Sequence, residues 1–270
     1  MPIVDLHAHT SFSDGTDSPS EVVHSYLMAG VQIMSITDHD TLEALPQAES
    51  LAKKAGILFV PGVEISSREH DHLHILGYNI DPQNKRLQEA LAQNRENRNI
   101  RARKIIKQLQ SAGVDITEED VFKLVRTVAS RAHIADAIRN KKIAPSRQEA
   151  FRKFLIPGKP GYVPNEGFTV CKIISLIKQA GGKAFMAHLG IVQEFWNFPA
   201  WVSSGLDGIE VYYPSHKQAM RETLLSLAKK YNLLVSAGSD HHGKKSGRDN
   251  APGLEVPQEV FDSIKKNLCK

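Results

Sequence analysis

Hydrophobic and polar positions change rhythm twice along this chain and divide it into three stretches. In residues 1–80, short apolar runs rich in β-branched residues alternate with segments of helical spacing. Ile3 to Thr10 reads as the first strand. Ser18-Pro19-Ser20-Glu21 is a capping box with proline at the first helical position, which predicts a helix to about Met28, ended by Gly30. Val31 to Thr37 is the next strand, and Asp40 with Glu43 is expected to cap a helix that stops at Gly56. Ile57 to Val63 is a third strand, and His74 begins the extended run that continues to Tyr78. From Asp81-Pro82 to about Pro157 the pattern is helical with no strand between. After the loop 157–164 the first rhythm returns: Thr169 opens a helix closed by Gly181-Gly182, and Lys183–Ala187, Gly208–Val211 and Leu233–Ala237 read as strands. Strands alternating with helices predict an α/β fold of parallel strands, formed by residues 1–80 and 157–270, with a small helical subdomain inserted over 81–156.

Polar residues that can ligate metal sit where these strands stop. Asp5, His7 and His9 share one face of an extended segment; Asp14 lies in the turn that follows. Asp38-His39-Asp40, Glu64, His188 and Ser239-Asp240-His241-His242 each follow a predicted strand, and Gly208–Val211 carries Glu210. His70, His72 and His74 repeat at period two, and periodicity does not choose among them. A lone histidine is ordinarily a hydrogen-bonded or surface residue. A His-x-His pair echoed at several strand ends is instead the ligand chemistry of imidazole. The set collected this way is His7, His9, Asp14, His39, Glu64, His74, His188, Asp240 and His242, all expected at one mouth.

Charge adds a second site. The net charge of the 270 residues is +4. Between Gln93 and Lys104 stand Arg95, Arg98, Arg101, Arg103 and Lys104 against Glu96, so this one segment carries the whole excess. Ser130 is a good N-cap, which puts Arg131 and His133 in a first helical turn, where free N–H groups and the helix dipole attract anions. A solvated helix face for the basic run and a structural His133 are the plain alternatives; with the two features adjacent, Arg98, Arg101, Arg131 and His133 are the expected phosphate-binding residues. Two cysteines without C-x-x-C spacing fit a reducing compartment. The opening run is broken by Asp5 and His7 and is no signal peptide, and no apolar run approaches the ~20 residues that span a bilayer. A cytoplasmic protein with no membrane association is expected, and no protein partner is inferable.

Six imidazoles and three carboxylates exceed the needs of one tetrahedral zinc. They suit two or three divalent ions bridged by a carboxylate such as Glu64; Mn²⁺, Fe²⁺ or Zn²⁺ fit this sulfur-free set. Clustered ions about 3.5–4 Å apart clamp a phosphoryl group and lower the pKa of bound water toward ~7, so the expected nucleophile is a metal-bound hydroxide rather than a side chain. No G-x-x-x-x-G-K-[ST], G-x-G-x-x-G or G-x-S-x-G motif supports ATP, dinucleotide or serine-acyl chemistry.

With its motifs Asp5-Leu6-His7-Ala8-His9-Thr10, Ser13-Asp14-Gly15, Thr37-Asp38-His39-Asp40, Gly62-Val63-Glu64, His74-Ile75-Leu76-Gly77, Ala187-His188 and Gly238-Ser239-Asp240-His241-His242, the chain resembles the PHP-domain (polymerase and histidinol phosphatase) phosphoesterases nearly end to end. The resemblance implies a distorted (β/α)7 PHP barrel holding up to three metals, Mn²⁺ foremost. It prefers His74 over His70 and His72, prefers His242 over His241, and leaves Asp5 to orient an imidazole rather than bind metal. The helical insert, Arg131-Ala132-His133 and the Lys159-to-Pro164 loop are most similar to the branch of 3′,5′-nucleoside bisphosphate phosphatases and 5′→3′ exoribonucleases. Ser130-Arg131-Ala132-His133 stands where Gly-Arg-Pro-His is usual, and His241 where an aromatic residue is common. The implied activity is hydrolysis of a phosphate ester on a small nucleotide, such as a 3′,5′-bisphosphate, or on a short 5′-phosphorylated RNA. A histidinol-phosphate-type phosphatase and a non-enzymatic metal-binding module are the alternatives.

Overall fold

The structure, a computed structural model, describes residues 1–248 and 250–269. Its strands are β1 (Ile3–Asp5), β2 (Ile33–Met34), β3 (Leu58–Phe59), β4 (Gly62–Ser66), β5 (His74–Tyr78), β6 (Lys183–Met186), β7 (Gly208–Tyr212), β8 (Leu234–Ala237) and β9 (Leu254–Glu255). They form one sheet in the order β3-β2-β1-β9 and a second in the order β4-β5-β6-β7-β8. Two parallel bridges join the sheets, Ala8 beside His241 and His39 beside Glu64. The Leu6 N–H donates to the Ala237 carbonyl and the His9 N–H to the His241 carbonyl, each at 2.8 Å. Strands β1, β2, β4, β5, β6, β7 and β8 thus close a seven-membered ring, with β3 and β9 on its outside.

Two details depart from the pattern read in the sequence. Residues 57–63 are not one strand. Pro61 has no N–H to give a ladder, so the run breaks into β3, paired with β2, and β4, which belongs to the other sheet. Glu64 therefore lies inside β4. Second, β5 is antiparallel to both β4 and β6, so the ring is not all-parallel. Because β5 runs away from the mouth, His74 reaches it from the start of a strand rather than from its end.

The helices are α1 (Pro19–Met28), α2 (Leu45–Lys54), α3 (Lys85–Ser111), α4 (Glu118–Phe122), α5 (Arg131–Asn140), α6 (Arg147–Ala150), α7 (Val170–Gln179), α8 (Phe198–Ser203), α9 (Gln218–Tyr231) and α10 (Gln258–Leu268), with one π turn over Phe151–Leu155. The Ser18–Glu21 capping box is present at α1. Helix α2 begins later than expected, with Ala44 at the N-cap and no side-chain cap, because the Asp40 carboxylate is engaged by Arg98 and Asn94. Leu6, Leu76, Tyr78, Phe185 and Ala237 share a buried cluster with Val260, Ile264 and Leu268 of α10, which closes the end opposite the mouth.

The 27 residues of α3 span about 40 Å at ~1.5 Å per residue. The helix changes partners along its length. Leu87 and Leu91 pack with Ile173 and Ile177 of α7 in the barrel's outer layer. Ala102, Ile105, Ile106 and Leu109 belong to a separate cluster with Ile134 and Ile138 of α5, Phe154 and Val163. The insert thus has its own small core, cantilevered on a helix rooted in the barrel.

Gly208 shows how tightly the ring is filled. A Cβ there would overlap the ring of Phe185, which is fully buried. Gly208→Ala is expected to cost roughly 1–3 kcal/mol by overpacking, read as a lower midpoint in urea unfolding with an unchanged slope.

Candidate active site

The nine residues expected at the mouth converge there, and all are buried. Glu64 is the hub. Its Oε1 lies 2.8 Å from His74 Nδ1 and 3.1 Å from His188 Nε2. Its Oε2 lies 3.1 Å from His9 Nε2, 3.1 Å from His39 Nδ1 and 3.4 Å from His7 Nε2. Asp240 Oδ1 sits 3.2 Å from His9 Nε2 and 3.5 Å from His7 Nε2, and Asp14 Oδ1 is 3.3 Å from His242 Nε2. The ligand atoms fall into four overlapping groups: His9, Asp14, His39 and His242; His7, His9 and Asp240; His7, Glu64 and His188; His39, Glu64 and His74. Every one of the nine belongs to at least one group.

Side chains around the cluster hold it in place. Glu210, read in the sequence only as a strand residue, accepts from His7 Nδ1 at 3.0 Å and from the His188 N–H at 2.7 Å. Asp5 does not orient an imidazole. Regular strand geometry ends at Asp5, so the period-two face stops there. Its carboxylate instead accepts from Ser239 N–H and Oγ and from the Gly253 N–H, tying β1 to the segment after β8. Asp38 accepts from Thr10 and Ser13 and fixes the turn that presents Asp14. His188 and Asp240 take positive φ values of 30° and 55°, a conformation that non-glycine residues adopt at a cost of order 1–3 kcal/mol. At Gly238 a Cβ would overlap His7 and Glu210, so the backbone approach there requires glycine.

The electrostatics fit a cationic occupant. Burial pushes Glu64 upward, yet His39, His74 and His7 around it hold its carboxyl well below the usual range. Asp14 is likewise lowered against burial by His242 and His39. Burial disfavours charge on His9, but its hydrogen bonds to the Asp240 and Glu64 carboxylates override it and lift the imidazole to about 9. His242, lowered by burial and then by Arg248, falls to about 4. These carboxylates demand positive charge, and part of the imidazole set remains neutral and able to ligate. Asp14 Oδ1, His188 Nδ1 and His242 Nε2 are buried and make no well-formed hydrogen bond, and His242 Nδ1 meets the Asp240 carbonyl at 2.8 Å, so its Nε2 is the nitrogen that faces the cluster. Hard or borderline donors in this number suit divalent ions.

Beside the cluster opens a cavity of about 340 Å³ lined on one side by Asp14, His39 and His74 and on the other by Arg98, Arg101, Arg131 and Arg147. Arg98 donates to Asp40 Oδ2 and Ser66 Oγ, each at 2.7 Å. Arg101 and Arg131 share one carboxylate, Asp71, at 2.6 and 2.8 Å. His133 does not line the cavity; as the third residue of α5 it accepts from the Ser130 N–H in a capping box. The basic run of α3 divides by helical phase, since Arg103 and Lys104 turn outward to Glu118 and Glu166. His70 stacks on Phe195 away from the cluster, His72 lines the cavity, and His241 Nδ1 bonds the Asn250 carbonyl. Asp71, Arg147 and Arg248 were not singled out in the sequence. For Asp71 the one signal was its place inside the His70–His74 stretch.

A seven-stranded barrel whose mouth collects six imidazoles and three carboxylates is the architecture of a metal-dependent hydrolase. The sequence profile of the PHP domain matches residues 5–155, and the chain belongs to the PHP family. It is 36% identical over 253 residues to a 5′-3′ exoribonuclease of Escherichia coli K12, covering 89% of this chain and 85% of the relative. It is 33% identical over 269 residues to a 3′,5′-nucleoside bisphosphate phosphatase of Chromobacterium violaceum, covering 95% and 93%. A candidate metal-dependent phosphoesterase from Bifidobacterium adolescentis superposes with a TM-score of 0.88 at 30% identity, over 97% of this chain and 95% of that one. The protein is a metal-dependent phosphoesterase. Among the described residues no helix is long and apolar enough to cross a membrane.

His7→Ala and Asp240→Ala are each expected to abolish turnover and to lower bound metal measured by elemental analysis; wild-type metal content in both would refute the cluster as drawn. Asp71 has its own signature. Burial raises its pKa, but Arg131 and Arg101 outweigh this and lower it. A folded-state pKa below the unfolded one contributes stability that is complete above the ordinary carboxylate range, near pH ~4, and is lost as pH falls through the lowered value. Asp71→Ala is expected to cost about 3–5 kcal/mol at neutral pH, because it leaves two guanidinium groups poorly paired. Asp71→Asn is expected to flatten the acid limb of the stability profile measured by urea unfolding.

Proposed function

We propose that this protein hydrolyses a phosphate ester on a nucleotide that carries a second phosphate, either a 3′,5′-bisphosphate or the 5′ end of a short oligoribonucleotide. The observation that carries this reading is that one cavity joins the metal cluster to a set of arginines contributed by the insert. A substrate with a single small phosphate would have no use for the second anionic contact. Support also comes from the two relatives, one named as an exoribonuclease and the other as a bisphosphate phosphatase.

In this reading His7, His9, Asp14, His39, Glu64, His74, His188, Asp240 and His242 hold two or three divalent ions, with Mn²⁺ the first choice to test. Such ions polarise phosphoryl oxygens and acidify water. The protein supplies the rest. Glu64 presents its two oxygens to different histidines, the arrangement of a bridging ligand. Glu210 fixes the His7 ring so that Nε2 faces the cluster. Arg101 and Arg131, oriented by Asp71, receive the second phosphate, and Arg98, held by Asp40 and Ser66, lines the same cavity. Guanidinium groups suit this task because their fixed fork matches phosphate oxygens.

The test is a Mn²⁺-supplemented panel comparing a 3′,5′-bisphosphate nucleotide, a short 5′-phosphorylated RNA, histidinol phosphate and p-nitrophenyl phosphate. The first two are expected to show the highest kcat/KM. Arg131→Ala should raise KM for the bisphosphate nucleotide roughly tenfold or more, as loss of a charge-assisted contact worth ~1.5–3 kcal/mol predicts, and leave p-nitrophenyl phosphate nearly unchanged. Equal effects on both substrates would remove the insert from substrate recognition.

A further inference from the structure

Arg248 has no role in the reading above, yet its position is unusual. It lines the arginine cavity, and it also lines a second recess of about 210 Å³ set directly against Glu64, His74, His188 and Asp240. Of the arginines facing the larger cavity, it is the one that also reaches this recess. Its Nη1 donates to Asp240 Oδ2 at 2.8 Å. The same Oδ2 accepts from the Tyr213 hydroxyl at 3.2 Å, while Oδ1 faces His7 and His9. Among the described residues, Nε and Nη2 of Arg248 have no protein hydrogen-bond partner.

The segment carrying it is anchored on both sides. The Arg248 N–H donates to Ser246 Oγ at 3.1 Å, and that hydroxyl donates to the Gly243 carbonyl at 2.7 Å. Gln148 of α6 donates to the Gly247 carbonyl, so the insert grips the loop from above. Asn250 is held by His241. Arg101 and Arg131 meet Asp71, a carboxylate outside the metal cluster; Arg248 meets a carboxylate that belongs to it.

We propose that Arg248 is a catalytic residue that contacts the phosphoryl group being hydrolysed, through the guanidinium edge not bound to Asp240. The proposal rests on the phosphoesterase reading of the cluster. Hydrolysis forms a bond from phosphorus to a water oxygen and breaks the ester P–O bond; one water proton ends on the leaving oxygen and the other on the released phosphate or solvent. Arg248 moves no proton. It stays charged and faces the negative charge spread over the non-bridging oxygens in the transition state. Its contact with Asp240 holds one end of the guanidinium, Nη1, at the cluster before substrate arrives.

The experiment compares wild type, Arg248→Ala and Arg248→Lys on a 3′,5′-bisphosphate nucleotide and on p-nitrophenyl phosphate, with metal content and calorimetric affinity for inorganic phosphate measured on the same Mn²⁺-loaded samples. Both substrates share the scissile group, so Arg248→Ala is expected to lower kcat for both by about 10²-fold, the scale of losing one oriented donor. Metal content should stay at the wild-type level, phosphate binding should weaken, Arg248→Lys should recover part of the loss, and added guanidinium should partly rescue Arg248→Ala. Unchanged kcat on both substrates would overturn the proposal. So would metal loss that tracks the activity loss, which would make Arg248 only a support for Asp240. An effect confined to KM for the bisphosphate nucleotide would also overturn it, assigning Arg248 to the second-phosphate contact. Wild-type protein inactive on every ester would instead remove the underlying reading, and this inference with it.

Discussion

A buried glutamate facing five imidazoles is the interaction on which the rest of this molecule depends. Removing a carboxylate from water costs several kcal/mol unless charge and hydrogen bonds compensate. Glu64 sits mid-strand in β4, where no solvent can compensate it. The compensation comes from His7 and His9 on the first strand, His39 after the second, His74 at the head of β5 and His188 after β6. To bring those five to one carboxylate the two sheets must meet, and the His39–Glu64 bridge is one of the two places where they do. The contacts that close the ring therefore also assemble the site, and the positive-φ backbones at His188 and Asp240 lie where the two coincide.

The second layer of electrostatics is built on pairs. Arg98 has Asp40, Arg101 and Arg131 have Asp71, Arg147 has Asp136, and Arg248 has Asp240. Unpaired guanidinium groups this close would repel and swing toward solvent. Carboxylate partners keep them aimed at one space and leave spare N–H donors for an anion, the preorganisation that binding sites require. The cost appears elsewhere: Asp40 adopts a φ of 50° and is unavailable to cap α2.

How much of this was legible in the sequence follows from which contacts are local. Residues standing just past parallel strands, such as His39, His188 and Asp240, were readable because the alternation of strand and helix fixes where such ends point. His74 could not be placed this way, since nothing in the five residues of β5 says that the strand it begins runs backward. Pro61 did carry a signal for the break between β3 and β4, and the apolar run around it masked that signal. Period two does not place Asp5 correctly, because regular strand geometry ends at that residue. The division of the basic run on α3 was open to inspection at 3.6 residues per turn. The partners Asp71, Glu210 and Arg248 were not, because each meets its counterpart across 30 or more residues or across a loop whose path only the fold defines. His133 was assigned to an anion by its place in a first turn, and that same place let the backbone of Ser130 claim it.

The reversed strand has a geometric consequence for the insert. Because β5 descends, the chain leaves it at the closed end of the barrel, and α3 must climb the full height of the molecule before its arginines reach the mouth. Asn94, Arg98 and Arg101 meet Asp40, Ser66 and Asp71 only because the helix arrives in the correct rotational phase. Each residue added below them would turn the arginines by about 100° and lift them by ~1.5 Å. The lower half of α3 therefore works as a ruler as well as a support: its length is quantised by the site above it. The chain beyond Ser111 returns to the Asp71 carboxylate at Arg131, so its loops can change length only where that contact is left in place.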